Sequence, residues 1–265
     1  MDWMVDPYMK IVRAYFAIYI SMLILGMLLS LLLDPEIILA AGNETNDSYN
    51  RAKKMLEREV YFDHRVTIYC EAEFDERKNT DLPAGFEPPS HPKRSDRVEW
   101  EHAVPVENFG RAFPEWRDGS PECIDNRGKA FKGRKCAEKA NMTFRYMQSD
   151  MHNLFPAIGS VNAVRGNKQY SELEGDGDFG LCTAKVNGNH FEPPDHAKVQ
   201  LARAALYLAR EYPQYRLSAQ QRLFEAWDRK FAPDEWECRR AARIERLQGN
   251  ANIFVKERCG PRLAR

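Results

Sequence analysis

No two cysteines in this chain are spaced as CxxC, neither HExxH nor HxxEH occurs, and neither sign of charge is in excess. Structural zinc needs closely spaced ligand pairs, so the first absence argues against a zinc-built fold. The second removes the signatures of the zinc proteases. With 39 lysines and arginines against 39 aspartates and glutamates the formal net charge is zero. No global basic field draws in a polyanion, and an anionic partner must be held by local patches. Also missing are an internal repeat and any regular alternation of strand and helix, which argues against repeat arrays and doubly wound parallel sheets.

At 265 residues and 43% hydrophobic content, the chain can bury one sizeable core. One long apolar run stands at its start, the 20 residues from Ala14 to Leu33, which carry no charge and follow Lys10 and Arg13. With small residues at Ala40, Ala41 and Gly42, residues 1–42 read as a cleavable signal peptide, or as an uncleaved membrane anchor, since 20 apolar residues can span a bilayer. Residues 43–265 then form a single domain. Removing residues 1–42 takes two bases and four acids, leaving 37 against 35, a net charge of +2. All six cysteines follow the apolar run, and an even number in an exported chain reads as a disulfide framework. The short separation of Cys123 from Cys136 favours that bridge, which would stabilise the fold by roughly 3 kcal/mol. The pairing taken for the rest is Cys70 with Cys182 and Cys238 with Cys259.

Ser48 is placed to cap a helix whose apolar residues Tyr49, Ala52, Leu56 and Val60 recur at helical spacing. RVTIYCEAEF, residues 65–74, alternates and predicts a half-buried strand. Proline and charge from Asp75 to Asp96 indicate a surface loop, and residues 111–140 an irregular, disulfide-tied region. Helices follow in HAKVQLARAALYLAREY, with Val199, Ala202, Leu206 and Ala209 on one stripe. They continue in LSAQQRLFEAWDRKF, where Ser218 and Gln221 make a capping box, and in DEWECRRAARIERLQGN, which stops at Gly249. Strands early and helices late define an α+β class of mixed helices and short strands. Between Arg239 and Arg265 eight bases face two acids, which reads either as a solvated helix face or as a surface that tracks phosphates.

Two polar clusters sit among apolar residues. One is WEHAVP, with Glu101 and His102; the other is SDMHNLFPAIGSVNAVRGN, with Asp150, His152, Asn153, Asn162, Arg165 and Asn167. Together they meet the needs of metal-assisted phosphodiester hydrolysis. A histidine can deprotonate water near neutral pH. Magnesium keeps several waters and needs only one or two protein oxygens, such as a carboxylate and an asparagine carbonyl. An arginine absorbs the charge that develops.

RVEWEHAVPVENFG, SDMHNLFPAIGSVNAVRGNKQY, the EPP at 192–194 and WECRRAARIERLQGNANIFV resemble the endonuclease I family of secreted or periplasmic bacterial nucleases, over roughly residues 45–260. The resemblance implies a disulfide-stapled fold around a ββα-metal (His-Me finger) motif. It also implies one Mg²⁺ ion and a monomer that cleaves DNA, and RNA as well, with little sequence preference, leaving 5′-phosphates. It makes His102 the general base, Glu101 and Asn162 the metal ligands, and Asn153 a brace. The arginine of the family's GGRKNC segment falls on Arg134 of GRKC. One residue is missing before Cys136 and the preceding loop differs, so Arg127 stays a second candidate. Arg165 matches the family's RGN, for either phosphate contact or support. The alternative from another class is a secreted nucleic-acid-binding module of the same fold without the chemistry.

Neighbours on a strand point to opposite faces, so Glu101 and His102 can share a site only if the strand ends or turns near His102. Pro105, which donates to no ladder, suits an early end.

Overall fold

Ser48 opens the first helix, its hydroxyl accepting from the Arg51 N–H at 3.3 Å in a computed structural model that describes residues 42–260, with Phe16, Tyr19, Ile20 and Met22 of the N-terminal segment. The signal or anchor read from residues 1–42 otherwise lies outside the described residues. Among the described residues, no helix is long and apolar enough to cross a membrane.

Helix α1, Tyr49–Met55, runs on into a π turn, Leu56–Val60, and buries Ala52, Leu56 and Val60 against Trp100, Met151, Leu154 and Ile244. The strand expected over residues 65–74 reduces to β1, Glu73–Phe74, paired with β2, Thr80–Asp81, and to one bridge from Val66 to Glu73. Between them the chain turns. Thr67 N–H donates to Ala72 O and Thr67 Oγ1 accepts from Ala72 N–H, both at 2.9 Å, and Glu71 takes a φ of +50°. Alternating apolar residues cannot tell a strand from a turn pinned to the core at Ile68 and Cys70. Tyr69, which the alternation puts on the same side as Glu71 and Glu73, is buried.

β3, Val98–His102, pairs antiparallel with β4, Leu154–Ile158, in a two-stranded sheet, and α6, Gly159–Arg165, follows at once. A Cβ on Gly159 would lie 2.5 Å from Arg94 O and 3.0 Å from Glu99 Oε1, so only glycine lets the helix start this close to β3. Short helices α2, Val106–Gly110, α3, Pro114–Arg117, α4, Arg134–Ala140, and α5, Met142–Gln148, fill the connection between β3 and β4. A three-stranded sheet of order β5-β7-β6 follows, made by Gln169–Tyr170, His190–Glu192 and Lys185–Asn187.

Helix α7, Asp195–Glu211, crosses the main core and is buried along most of its length. Its Arg203, fully buried, donates to Asp228 at 2.8 Å and Glu237 at 2.5 Å, tying α7 to α8, Gln221–Asp228, and α9, Glu235–Gln248. α8 starts at Gln221 after a 3₁₀ turn, Ser218–Gln220, rather than directly from Ser218. Asp234 caps α9, which ends on Gly249 at φ +86°. Disulfides join Cys70 to Cys182, Cys123 to Cys136 and Cys238 to Cys259. The fold is α+β, with mixed helices and short strands.

The tail's basic residues are largely spent inside the protein. Arg240 is buried and donates to Met151 O and Leu154 O at 2.9 and 2.8 Å, while Arg243 pairs with Asp63, Arg258 with Asp228, Lys256 with Glu245 and Arg239 with Glu235. Counting charges along the chain misses the distant Asp63 and Asp228; Arg262 and Arg265 lie outside the described residues.

Candidate active site

Among the described residues β3 has one strand partner; its other edge is closed at the start, where Val98 N–H donates to Lys78 O at 2.8 Å, and from there to His102 no second strand covers it and a cavity of 760 Å³ runs along it. The strand stays paired through Glu101↔Phe155 and His102↔Leu154 and ends at His102. Side chains leaving an edge strand on either face can border a cleft along that edge, and Glu101 and His102 both line this one. The backbone fits this arrangement. Pro156, opposite Trp100, turns its carbonyl away from β3 to accept from Ile68 N–H at 2.8 Å. On the cavity side, Trp100 O accepts from Tyr49 OH at 3.2 Å.

His102 is buried and stacks on Tyr49 with centroids 5.1 Å apart. Its Nε2 lies 2.9 Å from Gln148 O, and since a carbonyl only accepts, Nε2 carries the proton and Nδ1 the lone pair. Burial above all, then the nearby Arg134 guanidinium, pushes the imidazole down to about 3. It is therefore neutral, as a base must be, across the working pH range.

Glu101 is 3% exposed. Its Oε1 accepts from Tyr69 OH at 2.9 Å and pairs with Arg165 Nη1 at 2.8 Å, which leaves Oε2 without a hydrogen-bond partner among the described residues. Burial raises its carboxyl to about 6 against the opposing pull of Arg165, so it is mostly ionised at neutral pH. Arg165 is buried too. It donates to His102 O at 2.8 Å and Ala103 O at 2.5 Å, closing the end of β3, while its Nε has no hydrogen-bond partner among the described residues and the side chain also lines the cavity.

Asn162, on α6, donates through Nδ2 to Glu99 Oε2 at 3.0 Å, and among the described residues its Oδ1 has no hydrogen-bond partner. Glu99 is itself held by Arg94, whose Nε is 2.9 Å from Oε1. The free Glu101 and Asn162 oxygens make a hard, oxygen-only donor pair that fits a magnesium-like ion keeping most of its waters. Asn153 does not reach the cavity. Buried, it accepts from Val104 N–H at 2.8 Å and donates to Val104 O at 3.0 Å, fixing the turn after β3.

Arg134 lines the cavity and Arg127 does not; the latter lies in the exposed loop after Cys123. Arg134 is placed by Gly133, at φ +81° before α4, and by the disulfide at Cys136 two residues on. Its Nη2 donates to Gln148 Oε1 at 3.1 Å, and its Nε to Glu138 at 3.0 Å.

Sequence reasoning missed Gln148, Glu99 and Tyr49. Gln148 acts partly through a main-chain carbonyl, which leaves no trace in the sequence. Glu99 was within reach, because it stands two residues before Glu101 and so on the same face. Tyr49 was read only as part of an apolar stripe.

A neutral buried imidazole, a buried carboxylate, an asparagine amide and an arginine thus border one cleft, a grouping suited to hydrolysis. The chain matches Endonuclease I over residues 47–259 and belongs to that family. It is 39% identical over 220 residues to an extracellular deoxyribonuclease of Aeromonas hydrophila, covering 80% of this chain and 90% of that protein. To a periplasmic deoxyribonuclease of Aeromonas hydrophila it is 39% identical over 219 residues, 79% of this chain and 86% of the relative. To Endonuclease-1 of Buchnera aphidicola subsp. Acyrthosiphon pisum (strain APS) it is 28% identical, over 82% of this chain and 83% of the relative.

Proposed function

We propose that the protein is an exported endonuclease that hydrolyses phosphodiester bonds of DNA, and of RNA as well, with little sequence preference. The observation that carries the reading is the common cavity of His102, Glu101, Asn162 and Arg134. The relatives named as deoxyribonucleases support DNA as the substrate. Their extracellular and periplasmic names, the three disulfides and the apolar run before residue 42 support export.

In this mechanism, His102 Nδ1 takes a proton from a water whose oxygen attacks phosphorus. Gln148 O keeps the ring in the tautomer that leaves Nδ1 free. As the bond from phosphorus to the 3′ oxygen breaks, that oxygen leaves with the electron pair and takes a proton from solvent water to become a 3′-hydroxyl, the phosphate stays on the 5′ side, and His102 gives its proton back to solvent. Arg134, on the cavity wall, offsets the charge that builds on the phosphoryl oxygens. Glu101 and Asn162 would hold Mg²⁺, which when bound neutralises the phosphate and steadies the leaving oxygen. Contacts to phosphate carry no base information, and this accounts for low sequence preference. Nicking of supercoiled plasmid by the parent and by His102→Ala, with Mg²⁺ and with chelator, tests the reading; equal cutting by both proteins refutes it.

A further inference from the structure

The polar face of α1 and of the π turn that continues it lines the same cavity as β3, and the chemistry above uses none of it. Asn50, Lys53, Lys54, Glu57 and Arg58 follow the three-and-four spacing of one helix face, and all of them line the cavity. The other face, Ala52, Leu56 and Val60, is buried, so core packing fixes the direction of the polar stripe. Lys78 joins it from the turn before β2. Its φ of +68° is uncommon for a residue with a Cβ. The turn is held by Asp75, which accepts from Asn79 N–H at 2.8 Å, and by Val98 N–H donating to Lys78 O at 2.8 Å. Of Lys53, Lys54, Arg58 and Lys78, among the described residues only Lys78 has an acid partner, Glu57 at 3.5 Å. The tail's bases are mostly paired within the protein, whereas these cations face an open cleft.

We infer that this wall tracks the phosphate backbone of a nucleic-acid strand lying in the cavity beside β3, on from the scissile phosphate toward Val98. The inference rests on the endonuclease reading and adds where the rest of the substrate lies. Five strand residues span about 13 Å. At roughly 3.4 Å of rise per nucleotide, that length takes about four nucleotides.

The test measures binding of a labelled DNA duplex to the full chain carrying His102→Ala, by fluorescence anisotropy across a range of KCl concentrations. Each lost phosphate contact lowers the slope of log affinity against log salt by about 0.9. Adding Lys53→Ala, Lys54→Ala and Arg58→Ala should reduce the slope by about 2.7 on the same basis, with the melting temperature kept. Lys53→Arg with Lys54→Arg should keep the slope, and so should the tail pair Arg239→Ala with Arg246→Ala. An unchanged slope in the triple variant, or an equal loss in the tail pair, overturns the inference. Plasmid nicking by the parent is read separately. A parent that cuts DNA while the triple variant keeps its slope loses only the wall; a parent that cannot cut loses the endonuclease reading.

Discussion

Gln148 O accepts the Nε2 proton of His102 at 2.9 Å, so a main-chain atom sets which imidazole nitrogen is free. The Gln148 side chain meanwhile accepts from Arg134 at 3.1 Å. Substitution at 148 therefore removes only the second contact. Arg134→Ala should lower kcat on the order of 10²-fold, as expected for losing one charge-stabilising donor. Gln148→Leu should lower it less, and in the Arg134→Ala background should cost nothing further. Steady-state kinetics of the two single variants and the double variant check this; independent, additive losses would contradict it.

Removing the cation should abolish cutting, and restoring Mg²⁺ should recover it. Mg²⁺ should also raise the melting temperature of the parent, because a ligand bound only by the folded state stabilises it. Glu101→Gln and Asn162→Ala should lose that shift. Glu99→Gln, which disturbs the acceptor orienting Asn162, should raise the Mg²⁺ needed by roughly ten- to a hundredfold.

Reduction should weaken both stability and activity. Breaking Cys123–Cys136, with a sequence separation of 13, should cost roughly 3 kcal/mol and release the segment that places Arg134. Cys123→Ser with Cys136→Ser should therefore lower kcat as well as melting temperature. The pair Cys238→Ser with Cys259→Ser, remote from the cavity lining, should lower the melting temperature alone.

Acid should destabilise the fold through Glu192. Burial works to raise its carboxyl, but hydrogen bonds from Lys198, the Leu173 N–H and Lys185 outweigh it and hold the group down to about 2. A depressed carboxylate stabilises the fold above its ordinary value near 4.5, and that stability is lost as pH falls toward 2. Denaturant unfolding between pH 2 and 6 should show this slope, and Glu192→Gln should flatten it.

How much of this the sequence disclosed depends on the range of each interaction. Glu101, His102 and Asn162 were legible because polar residues inside apolar runs need a reason, and the ends of α7 and α9 because prolines, caps and a glycine are local signals. Residues 65–74 misled because alternation describes burial, which a turn held by Thr67 and Ala72 also satisfies. The tail's charge count was incomplete because Asp63 and Asp228 pair with Arg243 and Arg258 from distant parts of the chain. Sharing of one cleft by adjacent residues became clear only once β3 was seen to be an edge strand.

The central claim is that His102 is the base, and one plasmid experiment tests it most directly. With Mg²⁺ the parent should nick supercoiled DNA and with chelator it should not, while His102→Ala should cut on the order of 10² to 10⁴-fold more slowly. A His102→Ala protein that keeps its melting temperature and cuts as fast as the parent would contradict the account.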